Sequence, residues 1–175
     1  KKLASMLSGV MDAPLYVYAF DSLAFRITAE SQGPVASVAD WERAFLPIKA
    51  NGCTSCGVAI ASMRTLRQIV EQIVIVTDEE ENTAPYFVNE LEEYARQFGF
   101  TPDVTIVGVG RVSNYLQNQM RIKRLGFQTY YFSGDWNSLP NLIPLLSRPG
   151  QLDLLRDILA TSLPRRKSKT LAATA

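Results

Sequence analysis

The sequence contains no histidine and only two cysteines, Cys53 and Cys56. The first absence removes the commonest general base and the commonest zinc ligand. Two thiols three residues apart cannot build a disulfide framework for a chain of 175 residues. No apolar run approaches the roughly 20 residues needed to cross a bilayer. Lys1-Lys2 leads into a serine-interrupted amphipathic segment, where a secretory leader would need a continuous apolar core. Neither sign of charge dominates, since 18 Lys and Arg face 17 Asp and Glu for a net charge of +1, so no global field recruits nucleic acid. Neither a nucleophile elbow nor a pair of carboxylates at catalytic spacing is present, and nothing supplies an acid–base couple. These absences point to a cytoplasmic binding protein and not an enzyme.

What is present is the composition of one globular domain, 47% apolar and 20% charged. The chain opens on Lys1 and not on Met, which suggests a processed protein or a piece of a longer one. Residues 1–162 read as the domain. Residues 163–175 read as a basic, disordered tail, because Arg165, Arg166, Lys167 and Lys169 are followed by little that could pack.

Apolar spacing lays out the elements. Leu3, Met6, Leu7, Val10 and Met11 predict an amphipathic helix already under way at the first residue. Leu15 to Phe20 and Leu23 to Ile27, split by Asp21-Ser22, predict a tight hairpin. Ser37 and Asp40 form a capping-box pattern for a short helix through Trp41, Phe45 and Leu46 that Pro47 stops. A helix is expected from Ser55 to about Gln72, leading into Ile73 to Thr77, a strand apolar on both faces and hence buried between helical layers. Thr83 and Pro85 open a helix that Gly99 ends, and Val104 to Val109 form a second buried strand. A helix from Ser113 to Leu125 closed by Gly126, a strand Thr129 to Phe132, and helical segments at Leu139 to Leu146 and Leu152 to Leu159 complete the alternation. The expected class is a three-layer α/β domain.

Two loops carry the chemistry. Asp78 stands at the carboxyl end of a buried strand, where open α/β sheets bind ligands, and it is also a common turn former. Glu79-Glu80-Glu81 after it read as a solvated acidic loop beside the next helix start. Gly52-Cys53-Thr54-Ser55-Cys56-Gly57 has three readings. Cys53 and Cys56 make a C-x-x-C pair at a helix start, where the dipole favours a thiolate, although no buried strand precedes them. As zinc ligands they lack a second pair. As a glycine-flanked turn the segment offers the Thr54 hydroxyl, with Ser55 beside it, to a hard cation; Asp78 and its neighbour Glu79 offer carboxylates. One Thr and one Asp do not fill six oxygen positions, so further ligands must come from elsewhere.

The order of parts resembles the von Willebrand factor A domain, a Rossmann-like fold. Its metal-ion-dependent adhesion site joins an Asp-x-Ser-x-Ser strand end, a loop threonine and a second strand-end aspartate. Thr54 matches the threonine and Asp78 the second aspartate. Within that superfamily the chain is most similar to the C-terminal domain of the Ro autoantigen, or TROVE, proteins. Gly52-Cys53-Thr54-Ser55-Cys56, Val17-Tyr18-Ala19-Phe20, Ile75-Val76-Thr77-Asp78-Glu79-Glu80 and Leu125-Gly126-Phe127 carry the likeness. The resemblance implies a mostly parallel sheet with an antiparallel edge hairpin and a divalent cation, Mg²⁺ before Mn²⁺ or Ca²⁺. It also implies noncoding RNA as partner of a full-length protein active in RNA quality control, through a helical-repeat ring. An A-domain module of another intracellular assembly or chaperone-linked protein is the alternative. The first, central strand with Asp-x-Ser-x-Ser is absent, and Asp21-Ser22 is no substitute because it lies in the hairpin turn. The expectation is that an upstream segment or a partner chain supplies that strand.

Overall fold

The computed structural model describes residues 1–10, 14–49, 52–146 and 157–161. In chain order it contains α1 (Lys2–Val10), β1 (Val17–Phe20), β2 (Ala24–Ile27), α2 (Val38–Phe45), α3 (Val58–Thr65), β3 (Gln72–Thr77), α4 (Phe87–Phe98), β4 (Asp103–Val109), α5 (Tyr115–Ile122) and β5 (Gln128–Phe132). A 3₁₀ helix, Trp136–Leu142, then runs into α6 (Ile143–Leu146). The class is α/β, with three parallel strands ordered β3-β4-β5 and helices against them, consistent with a Rossmann-like arrangement.

The hairpin forms, with Val17 opposite Ile27 and Phe20 opposite Ala24. Asp21 Oδ1 accepts the Leu23 N–H at 2.7 Å and closes the turn. With no central strand to join them, the hairpin and the parallel strands form separate sheets among the described residues. Among the described residues β1 bonds only to β2, and β3 only to β4.

Parallel register puts Ile73 beside Val104 and Ile75 beside Ile106 on one sheet face. That face packs on Ile60 and Met63 of α3, on Phe87, Val88, Leu91 and Tyr94 of α4, and on Leu116 and Met120 of α5. Tyr18 and Phe20 of β1 join the same cluster. Their neighbours Val17 and Ala19 pack instead on a second cluster of Ala4, Ile27 and Trp41. Successive side chains of β1 therefore serve two cores, as the period of a strand requires.

Several boundaries moved from their expected places. α3 ends at Thr65 because Leu66 caps it and Arg67 takes a left-handed φ of 53°; Leu66 and Ile69, which completed the apolar period, are exposed. α4 begins at Phe87, after Pro85, and Gly99 at φ 80° ends it as expected. α5 spans Tyr115–Ile122 and is closed by Lys123 and a left-handed Arg124, not by Gly126. β3 is not buried on both faces: Ile73, Ile75 and Thr77 are buried while Val76 is 46% exposed. Leu139 to Leu142 are 3₁₀, with Pro140 inside the turn. Most of the segment expected at Leu152 to Leu159, and the tail at 163–175, lie outside the described residues.

Candidate cation-binding loops at the end of the parallel sheet

β3 delivers Asp78 to the carboxyl edge of the sheet, and the chain reverses at once because Glu79 adopts φ 67°. The Asp78 carboxylate is exposed, and its Oδ1 accepts the Glu80 N–H at 3.1 Å. Its carbonyl accepts the Ser113 N–H at 3.0 Å from the loop after β4. The acid run after it is not the solvated loop that its composition suggests. Glu79 is fully buried and Glu81 half-buried.

Glu81 and Asn82 fasten this loop to the one that carries Thr54. Glu81 Oε1 accepts the Cys56 N–H at 2.9 Å and the Phe87 N–H at 2.8 Å, serving the starts of α3 and α4 with one oxygen. Asn82 Oδ1 accepts the Thr54 N–H at 2.9 Å, and the Thr54 carbonyl accepts N–H groups of Asn82 and Thr83 at 3.0 and 3.1 Å. Gly57 permits the close approach, since a Cβ there would meet the Pro85 carbonyl oxygen at 2.5 Å. Burial outweighs the backbone donors and raises the Glu81 pKa above the ordinary carboxyl value.

The expected site residues differ in what they have left to offer. Thr54 is half-buried, and its backbone is committed while its hydroxyl has no hydrogen bond among the described residues. Ser55 is fully buried; its Oγ donates to the Pro85 carbonyl at 2.6 Å and its N–H to the Asp21 carbonyl at 2.8 Å, so it holds the loop. Glu79 spends both carboxylate oxygens on Gln117, at 3.1 Å from the backbone N–H and 2.6 Å from Nε2. Thr54 and Asp78 therefore carry the available hard oxygens, which suit a divalent cation by type and fall short of its ligand number. Among the described residues no group of three His, Cys, Asp or Glu is placed to hold a metal ion.

The two cysteines are unlike. Cys53 is exposed, whereas Cys56 is buried with its thiol 3.9 Å from Thr77 Oγ1. Burial first, then the charges of Glu81, Asp78 and Glu79, push the Cys56 thiol up to about 12. At Cys56, burial and the neighbouring carboxylates oppose the thiolate that a helix start would otherwise favour.

Glu81, Asn82 and Gln117 are the residues that the sequence reading missed. Glu81 had no signal that set it apart from Glu79 and Glu80 in the same acid run. Gln117 had none beyond its place on the inward face of α5. Comparison with known families, with characterised proteins and with solved structures finds no match for this chain. Among the described residues no helix is long and apolar enough to cross a membrane.

Proposed function

We propose that this chain is a cation-assisted binding module of the von Willebrand A type, resembling the C-terminal domain of the Ro or TROVE proteins. Thr54 and Asp78 are two of the protein ligands for Mg²⁺. The cation is the contact to an acidic group of a partner, not a catalyst. The rest of its ligands come from water and from an Asp-x-Ser-x-Ser strand seated between β1 and β3. In a full-length protein of this class the partner is a noncoding RNA.

The observation that carries this reading is the division into two sheets. Among the described residues β1 and β3 each bond on one side only, yet Tyr18, Phe20, Ile73 and Ile75 pack on one cluster. Two strands that share a core face but no ladder leave N–H and C=O groups that a strand between them would satisfy. The Asp21 carbonyl, bonded to Ser55, places the end of β1 at the loop carrying Thr54.

Magnesium titration by calorimetry tests the reading. The chain alone is expected to bind weakly, and a peptide carrying an apolar strand that ends in Asp-x-Ser-x-Ser is expected to tighten binding at least tenfold, about 1.4 kcal/mol. Tight binding by the chain alone, abolished in Asp78→Ala, would show the added strand to be unnecessary. No binding with the peptide present would remove the cation from the proposal. The same free edges predict self-association of the chain alone, and a monomer with one sharp cooperative melt counts against them.

A further inference from the structure

Glu79 combines features that a surface loop does not require. It is a non-glycine residue in the left-handed region, at φ 67°, and its carboxyl group is fully buried with no cationic partner among the described ion pairs. Such a conformation is unfavourable for a residue with a Cβ and persists only where the surroundings over-determine it. The surroundings here are specific. Its N–H donates to Thr77 Oγ1 at 2.9 Å, and its carbonyl accepts Ser113 Oγ at 2.9 Å and the Glu81 N–H at 3.0 Å.

The side chain reaches the start of α5. Asn114, at the N-cap position, would ordinarily bond an N–H of the first turn, yet it is left-handed at φ 59° and makes no such bond. Glu79 supplies that acceptor from another element: Oε2 takes the Gln117 N–H, the third of the helix, and Oε1 takes Gln117 Nε2. Gln117 Nε2 also lies 3.0 Å from both Asn114 Oδ1 and the Tyr131 hydroxyl, which ties α5 to β5. A negative charge at this helix end is favoured by the exposed N–H groups, which accounts for a buried carboxylate held by neutral donors.

We propose that Glu79 is a positioning residue, latching the end of β3 to the first turn of α5 and thereby fixing the direction of the Asp78 carboxylate. Asp78 lies inside the latch, with its carbonyl on Ser113 N–H and its Oδ1 on Glu80 N–H. Movement of the α5 start would be transmitted to Asp78 through Glu79. The consequence for cation binding rests on the reading of Asp78 as a ligand; the positioning itself does not.

The test is NMR on the full chain and on Glu79→Gly, which relieves the backbone but removes the latch, and on Glu79→Gln, which keeps the shape and one acceptor. The χ1 couplings of Asp78 report its rotamer within the folded state, and exchange of the Glu80 and Ser113 amides reports its two hydrogen bonds. In Glu79→Gly the Asp78 rotamer is expected to average and both amides to exchange about tenfold faster, while amides of α4 are unchanged; Glu79→Gln restores part of the protection. An unchanged Asp78 rotamer and unchanged Glu80 and Ser113 exchange, in either folded variant, overturns the proposal. If Glu79→Gly fails to fold, Glu79→Gln alone decides between a freed and an unmoved Asp78. Mn²⁺ broadening at Asp78, run in parallel, separates the two claims. Absence of broadening in the parent chain with the Asp-x-Ser-x-Ser peptide present removes the cation reading, whereas a rotamer change in the variants still sustains the latch.

Discussion

β1 and β3 are both short strands with one edge unbonded among the described residues, yet their surroundings are unequal. β3 leans on β4, which is buried on both faces, and shares a cluster with three helices whose Leu91, Tyr94, Leu116 and Met120 are completely covered. Among the described residues β1 has only β2 beside it, and every one of its residues is half-buried. The second cluster has three buried members among the described residues, Ala4, Ile27 and Trp41. The hairpin is held to the larger part by the packing of Tyr18 and Phe20 on its cluster and by two hydrogen bonds, Tyr18 hydroxyl to Gln68 Oε1 at 2.6 Å and Ser55 N–H to the Asp21 carbonyl at 2.8 Å. Burial of apolar area is what stabilises a domain, so the parallel half is expected to carry more of the stability than the hairpin half.

That inequality can be broken most severely by Leu91→Ala. Leu91 is 0% exposed in the larger cluster, and truncation is expected to lower unfolding free energy by about 2–5 kcal/mol, read from urea denaturation. Trp41→Ala is its counterpart: amides of α1, α2 and the hairpin should lose exchange protection while those of β4 keep theirs. Equal loss in both halves would mean that the two clusters form one cooperative unit.

Tyr94→Phe is expected to cost about 1–3 kcal/mol, with the melt followed by circular dichroism. The Tyr94 hydroxyl accepts the Val70 N–H at 2.7 Å and donates to the Gln68 carbonyl at 3.0 Å, and both backbone groups would lose their partner. Because Gln68 also holds Tyr18, this change should reach the hairpin although it is made in the larger half.

The smallest effect belongs to Glu81. Its pKa is raised in the folded chain by burial. The favourable contribution is therefore present below the ordinary carboxyl pKa and is lost as pH rises through the raised value. Glu81→Gln keeps a carbonyl oxygen for the Cys56 and Phe87 N–H groups and cannot ionise. It should raise the melting temperature slightly at neutral pH and leave it unchanged near about pH 4. A loss at neutral pH would mean that the charge itself is needed at the two helix starts.

Much of this architecture was legible in the residues. The hairpin, the alternation of strands and helices, the Ser37–Asp40 capping box and the Gly99 helix end all followed from local chemistry, and the capping box is present with both bonds made. What was not legible depended on contacts distant in sequence. The apolar period through Leu66 and Ile69 predicted more helix than forms, because periodicity does not report which residues the rest of the fold will cover. The separation of the hairpin from the parallel strands, by contrast, agrees with the expectation that the first, central strand is absent. At the loops, Thr54 and Asp78 could be singled out by residue type and place, whereas the work of Glu79 and Glu81 required knowing that a helix start lay opposite each carboxylate. Acid runs look alike in sequence whether they meet water or N–H groups.

One last consequence follows from the unlike pair beside Thr54. Cys53 is exposed and Cys56 is buried with its thiol held protonated to about 12. An alkylating dye at neutral pH should therefore attach at a single position, one residue from the hydroxyl that would face an ion. The native chain thus carries its own reporter: fluorescence from a label on Cys53 can register an arriving cation or strand without any engineered handle.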